Sequence, residues 1–396
     1  MERSMGAQSY PAGTILLTAP FFMGQPGNTR SVRHLPWFFI HRQTSSAGSP
    51  RPIVFTAGFR WFYFYYGSGG RFLFIPEGRI PLACLFGVGQ QRHIPRVTHP
   101  CCDFHHFLMN PQHLLFSILL AIIISFLAYR AHALNKSGAV AAAVLGSVVF
   151  GIGGLPAALV LMVFFITSSG LSRLFRQRKK RYDEKFSKGS QRDAGQVFAN
   201  GGIAGLCLLA SLIIPNGSII WLAYCGSLAA VNADTWATEL GVLNRSQPRL
   251  ITNGQPVEAG TSGAISPTGS LAAASGSLLI ALIGILALSI QPLSSTLLII
   301  PPPTSAVWIL IALGGVTFAG ILGSLVDSWL GATYQAIYTC PTCQKETERH
   351  PLHSCGTPTQ KVRGWRWLNN DWVNTACALI GAILGCLVGF LLSSWR

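Results

Sequence analysis

The sequence predicts an all-α, polytopic transmembrane helical bundle of seven or eight spans with a small cytoplasmic Cys-containing loop. Three observations predict it. Half of the 396 residues are hydrophobic, and mean hydropathy is +0.43. Only 11% are charged, less than half the roughly 25% of a soluble domain. From about residue 113, apolar runs recur at lengths close to the roughly 20 residues that cross a bilayer. An ordinary soluble enzyme, a disordered chain and a coiled coil are excluded on these grounds. The net charge of +16 is explained more simply by basic cytoplasmic loops than by nucleic acid, which is not expected as a partner.

Residues 1–110 mix Pro, Gly, Arg and aromatics without helical or strand periodicity, as between Arg60 and Gly78. No basic segment followed by a clean apolar core marks a signal peptide. This stretch is expected to be poorly ordered, or an extension from an upstream start, and no function attaches to it. The transmembrane domain is expected over 113–394. Its spans are 114–130, then 138–152 and 155–171 on either side of a GIGGLP break, then 196–214 and 217–233. The remaining spans are 270–290, 305–326 and 375–393. The Gly/Ala-rich 138–152 piece is short enough to half-span the bilayer, packed through its small residues.

Nine Lys/Arg lie between Arg173 and Arg192, which puts the 172–195 loop on the cytoplasmic side. Alternation then places 234–269 and 327–374 inside, and the uncharged 291–304 outside. The 327–374 loop is itself basic, with Lys345, Arg349, Lys361, Arg363 and Arg366. The expected location is a multi-pass integral membrane protein, in the plasma membrane if the source is bacterial. Oligomeric state leaves no trace in the sequence.

With only 13 acids in the chain, their placement is informative. Asp234 and Glu239 stand in VNADTWATELG, Asp327 in GSLVDSWLGATYQ, and Asp371 beside Asn370 in WLNNDWVN. Each sits at a cytoplasmic span end among amides and hydroxyls, and carboxylates at membrane depth are costly unless paired or solvated. Taken singly they read as interfacial caps. Taken together they offer the oxygen ligands that Mg²⁺ prefers while it bridges phosphates, with Asp234 and Asp327 as the candidate ligands. Lys188 and Arg192 are candidates for binding the phosphates, although the basic loop is also an ordinary topology signal. Thr261, Ser262 and Gly263 lie in a Gly/Ser loop ahead of a helix N-terminus, where backbone N–H groups can cradle an anion. The reading is phosphoryl or nucleotidyl transfer to a lipid-like acceptor. No P-loop motif is present.

Of ten cysteines, most stand alone in apolar runs as small hydrophobes. Cys340, Cys343 and Cys355 cluster with His353 and His350, and Cys₃His suits a structural tetrahedral Zn²⁺. Either histidine serves as the fourth ligand, His353 preferred. A reduced, exposed CxxC or a redox pair is the alternative.

The NADTWATELG, GSLVDSWLGATYQ and WLNNDWVN segments resemble the integral membrane family DUF92, which includes TMEM19-like proteins and the plant phytyl-phosphate kinase of tocopherol synthesis. The stretches 137–154, 195–202 and 260–269 fit in the same order, so the likeness spans about 115–393. The Cys loop and residues 1–110 are not part of it. Asp234 and Glu239 match the family's acidic run, Asp327 its GSxxD element, and Asn370 with Asn374 its NNxxVN element.

The resemblance implies a CTP-dependent isoprenyl (phytyl)-phosphate kinase acting at the cytoplasmic face, with Mg²⁺ and an isoprenyl phosphate substrate. Asp234, Glu239 and Asp327 would hold metal and phosphates, with Asn370 and Asp371 completing the shell. Lys188 and Arg192 would neutralise the transferring charge. The alternatives are a non-enzymatic transporter or channel for a small anion or lipid, and a scaffold whose Zn loop recruits a partner.

Overall fold

A computed structural model describes residues 53–57, 60–66, 72–75, 111–175, 191–214, 216–244, 246–288 and 305–394. The chain divides into two compact units, Met1–Pro95 and Arg96–Arg396. In the first, strands β1 (Ile53–Ala57), β2 (Arg60–Tyr66) and β3 (Phe72–Ile75) form an antiparallel sheet in that order. The sequence reading assigned no element here. β2 is a nearly unbroken aromatic run, which favours extended backbone without the apolar–polar alternation that marks a half-buried strand.

The second unit is mostly helical. Its described helices are α1 (Pro111–Arg130), α2 (Lys136–Leu174), α3 (Ala194–Ala210), α4 (Gly217–Gly241), α5 (Pro267–Ala287), α6 (Ala306–Thr333) and α7 (Asn370–Ser394). Five of these are long and apolar enough to cross a membrane: α1, α2, α5, α6 and α7. α3 is apolar but shorter, at 17 residues. Starts are fixed by local chemistry. Asn135, Asn216, Ser266 and Ser305 cap α2, α4, α5 and α6, and Asp193 with Gln196 forms a capping box on α3, which satisfies otherwise orphaned N–H groups.

The two spans expected around GIGGLP are present as two helices that meet at a kink within α2. Gly154 has φ 61° and ψ −157°, and Pro156 follows inside the helix. The left-handed φ is open to glycine, and the proline removes a ladder hydrogen bond. The expected ends of three other spans are corrected. α4 runs on to Gly241, α6 on to Thr333, and α7 begins at Asn370. Hydropathy falls in these turns because their side chains line a polar cavity, while the backbone stays helical.

α4 is the central helix, buried along nearly its whole length from Ser218 to Ala233, and it packs most extensively against α7, α5 and α6. Gly226 of α4 and Gly381 of α7 approach so closely that a Cβ on either would strike the other's backbone carbonyl, as small-residue helix interfaces require. Polar ties cross the same core. Trp221 Nε1 donates to Gly284 O at 3.2 Å, Tyr224 OH to Ala157 O at 2.6 Å, and Asn232 Nδ2 to Gly276 O at 2.8 Å. α1 turns Phe116, Ile123, Phe126 and Leu127 outward, the expected dress of a lipid-facing surface.

After α4 the chain makes a two-stranded ribbon, β4 (Arg249–Leu250) with β5 (Ala264–Ile265). After α6 it forms a three-stranded antiparallel sheet in the order β7–β6–β8, from β6 (Ile337–Cys340), β7 (Lys345–Thr347) and β8 (Gln360–Arg363). The expected Cys loop is therefore a folded module.

Candidate functional site

The turns in which helices outrun the apolar pattern converge on a cavity of about 1070 Å³. α4 contributes Asp234 and Thr238, one turn apart on the same side of the helix, and Glu239, which lies further round it. α6 contributes Ser324, Asp327 and Ser328, and α7 contributes Asn370 and Asn374 at i and i+4. Arg192, just ahead of α3, and Ser172 at the end of α2 close one wall. The segment Ala259–Ser266 forms another.

Asp327 and Asp234 lie within hydrogen-bonding reach of each other, and Glu348 adds its field to theirs. Oδ2 of Asp327 is buried without a hydrogen-bond partner. Carboxyl groups so close need a shared proton or a cation between them. The donor set is all oxygen, which fits Mg²⁺. Asp234, Asp327 and Glu348 are the residues that would hold it.

Glu239 is buried, and the Ser172 hydroxyl donates to its Oε1 at 2.7 Å. Burial pushes the Arg192 guanidinium down to about 10, partly opposed by the charge of Glu239, so Arg192 remains cationic at neutral pH. Its guanidinium also stacks over the rings of Phe164 and Phe165, at 5.4 and 5.8 Å from their centroids. Its backbone exchanges hydrogen bonds with Ala133 and Asn135, which fixes this side chain at the cavity wall.

Thr261, Ser262 and Gly263 line the cavity as expected, but much of their hydrogen-bonding capacity is already used. Thr261 N donates to Glu258 O, Ala264 N to Thr261 O, and the Ser262 hydroxyl to Gln335 Oε1 at 2.7 Å. Gly263, at φ +83°, packs where a Cβ would collide with Ala332. The loop is held against α6 at this point. Lys188 lies outside the described residues.

Asp371 is brought elsewhere. It lines a neighbouring cavity of about 620 Å³ with Val144, Phe198, Gly202, Leu206 and Trp372, an almost wholly apolar wall. Adjacency to Asn370 in sequence does not carry over, because consecutive helical residues point about 100° apart.

Glu348 and Arg349 line the large cavity and were missed. Gln335, 2% exposed, links them to the loop wall: its Nε2 donates to Glu348 Oε1 at 2.8 Å while its Oε1 accepts from Ser262. The available signal was an acid–base pair beside a candidate metal cluster, which anchors a loop and directs it somewhere.

Cys340, Cys343, His353 and Cys355 each offer a ligand atom within 4.8 Å of the others. His350 instead stacks on Tyr338, so His353 is the histidine of the cluster. Contacts with Thr357 and His353 hold the Cys355 thiol down to about 5, and the Cys355 contact pushes Cys343 up to about 11.

The family described as Integral membrane protein DUF92 matches residues 119–382. Protein PGR of Arabidopsis thaliana is 31% identical, over 69% of this chain and 96% of its own. An uncharacterized membrane protein of Methanocaldococcus jannaschii is 30% identical, over 69% and 92%. Protein VTE6, chloroplastic, of Arabidopsis thaliana is 24% identical, over 66% and 67%. No solved structure matches. The acidic cavity, the apolar helices around it and the match over 119–382 agree: the chain belongs to the DUF92 family of multi-pass integral membrane proteins.

Proposed function

We propose that the protein is a phosphotransferase that passes the γ-phosphoryl group of a nucleoside triphosphate, CTP favoured, to an isoprenyl monophosphate. The observation that carries this reading is the meeting of Asp234, Asp327 and Glu348, from three separate elements, in one cavity that also holds Arg192 and Arg349. Support also comes from the relationship to a family that includes a phytyl-phosphate kinase.

Mg²⁺ on the three carboxylates would neutralise phosphate charge when bound. The guanidinium groups of Arg192 and Arg349 bind phosphate oxygens, and the fork geometry of Arg192 suits two at once. Glu239 keeps Arg192 charged and oriented. Asn370 and Asn374 donate amide N–H groups to the donor or acceptor phosphate. The prenyl chain lies in the neighbouring apolar cavity against Phe198, Leu206 and Trp372. An oxygen of the acceptor phosphate attacks the γ-phosphorus and a new P–O bond forms. The bond from the γ-phosphorus to the β–γ bridging oxygen breaks, and the nucleoside diphosphate leaves with the electron pair. Positioning and charge stabilisation are the protein's whole share of such a reaction. The basic 172–195 and 327–374 loops favour the cytoplasmic side for this reaction.

The test is phosphoryl transfer by purified protein, with CTP or ATP and Mg²⁺ against a panel of prenyl monophosphates. A diphosphate product is expected, falling on the order of a hundredfold or more in Asp234→Asn. Turnover that survives the substitution, or no product from folded protein with any pair, overturns the reading. Nucleotide-independent flux in proteoliposomes would then favour a transporter.

A further inference from the structure

The module between α6 and α7 is too small to hold itself together by burial. Its strands have four, three and four residues, and Leu352, Val362, Trp365 and Trp367 are exposed. Sheets of this size need packing or a covalent or metal staple. Two reverse turns face each other at its end. In the first, Cys343 N approaches Cys340 Sγ at 3.5 Å, Gln344 N bonds Cys340 O at 2.9 Å, and Gln344 is left-handed at φ 54°. In the second, His353 N bonds Thr357 O and Gly356 N bonds His353 O, with Gly356 at φ +85°. Cys340 and Cys355 sulfurs are 3.5 Å apart, and His353 Nδ1 is 3.2 Å from Cys355 Sγ. A tetrahedron with arms of about 2.3 Å has edges of about 3.8 Å, so these atoms are close to the corners of one. His353 is 3% exposed, and its Nε2 is buried with no hydrogen-bond partner.

We propose that Cys340, Cys343, His353 and Cys355 bind a structural Zn²⁺, and that this metal holds Glu348 and Arg349 at the wall of the large cavity. Three soft sulfurs and an imidazole select zinc, and four protein ligands leave no open position for catalysis. The ligands Cys343 and His353 flank β7 and the two cavity residues. Between these anchors, Arg349 N bonds the Thr347 hydroxyl at 3.1 Å and the Thr359 hydroxyl donates to Arg349 O at 3.0 Å. Glu348 meets Gln335, and Gln335 meets Ser262, so the staple is continuous with the loop across the cavity. The zinc assignment itself is independent of the phosphotransfer reading.

Elemental analysis of the full-length protein, purified without added metal, should find stoichiometric zinc. Exchange to Co²⁺ should give the intense d–d bands of a tetrahedral site with thiolate-to-cobalt charge transfer. Cys355→Ser and His353→Asn should lose the metal, whereas Glu348→Gln should keep it. Stripping the zinc should speed tryptic cleavage of the Arg349–His350 bond by roughly tenfold or more, since that bond is then free to open. Wild-type protein without zinc or the cobalt spectrum, or a native disulfide among these cysteines, overturns the site. Unchanged cleavage after stripping overturns the positioning role. Loss of phosphotransfer in Glu348→Gln with full zinc content would concern the cavity alone, which separates the two readings.

Discussion

At the scale of single residues, the carboxyl groups of Asp234 and Asp327 lie within hydrogen-bonding reach of each other, with Oδ2 of Asp327 buried and lacking a hydrogen-bond partner, so the pair carries repulsion when both are ionised. Asp327→Asn should therefore raise the melting temperature in EDTA, by the equivalent of roughly 1 kcal/mol, while abolishing the stabilisation that Mg²⁺ gives the wild type. Differential scanning fluorimetry with and without Mg²⁺ reads both, and an unchanged melt in EDTA contradicts the account. Arg192 carries a second prediction. Arg192→Lys keeps the charge but loses the fork and the stack on Phe164 and Phe165, which lysine cannot reproduce. Transfer activity should fall roughly tenfold to a hundredfold, with little change in the melt. Four of the acids and amides in this cavity were legible in the sequence, because acids are so few and stood in amide-rich contexts. Glu348 was not, since only the fold of the Cys module returns it to the cavity. Asp371 was misplaced because neighbours along a helix turn diverge in space.

At the scale of elements, helix contacts divide into those that tolerate a methyl group and those that do not. Gly151 of α2 has open space where a Cβ would stand, whereas one at Gly381 would meet the carbonyl of Gly226. Gly151→Ala should be neutral or stabilising by about 0.5–1 kcal/mol. Gly381→Ala should force α4 and α7 apart and lower the melting temperature clearly. Equal effects of the two substitutions would mean that the close approach is not a feature of the protein in lipid. Hydropathy found every described helix of the second unit, since lipid-facing surfaces must be apolar. It stopped short at the cavity ends of α4 and α6 and began late on α7, because there the same helices turn from lipid to water and charge.

At the scale of the whole molecule, α6 has 28 residues and is about 42 Å long at 1.5 Å per residue. It outreaches a hydrocarbon core of about 30 Å by some two turns, and its far end holds Asp327 and the start of the Cys module. Ser305 and Lys361 flank opposite ends of this helix. A membrane-impermeant maleimide applied to intact cells should therefore label Ser305→Cys and spare Lys361→Cys, which should react only after permeabilisation. The reverse pattern would invert the topology drawn from the basic loops.

The burial of α4 also bears on how the protein is made. This helix falls short of the apolarity that marks a free-standing span, and its most extensive packing partner, α7, is the last of the described helices. The ribosome therefore delivers the middle of the molecule long before the segment that seals it. Until then α4 waits in the bilayer with Asn232, Asp234 and Glu239 awaiting their final surroundings. A chain truncated before Asn370 should be cleared by membrane proteases, and co-expression of 365–396 as a separate fragment should rescue it. Quality control of this protein is in effect a test of whether α7 has reached α4.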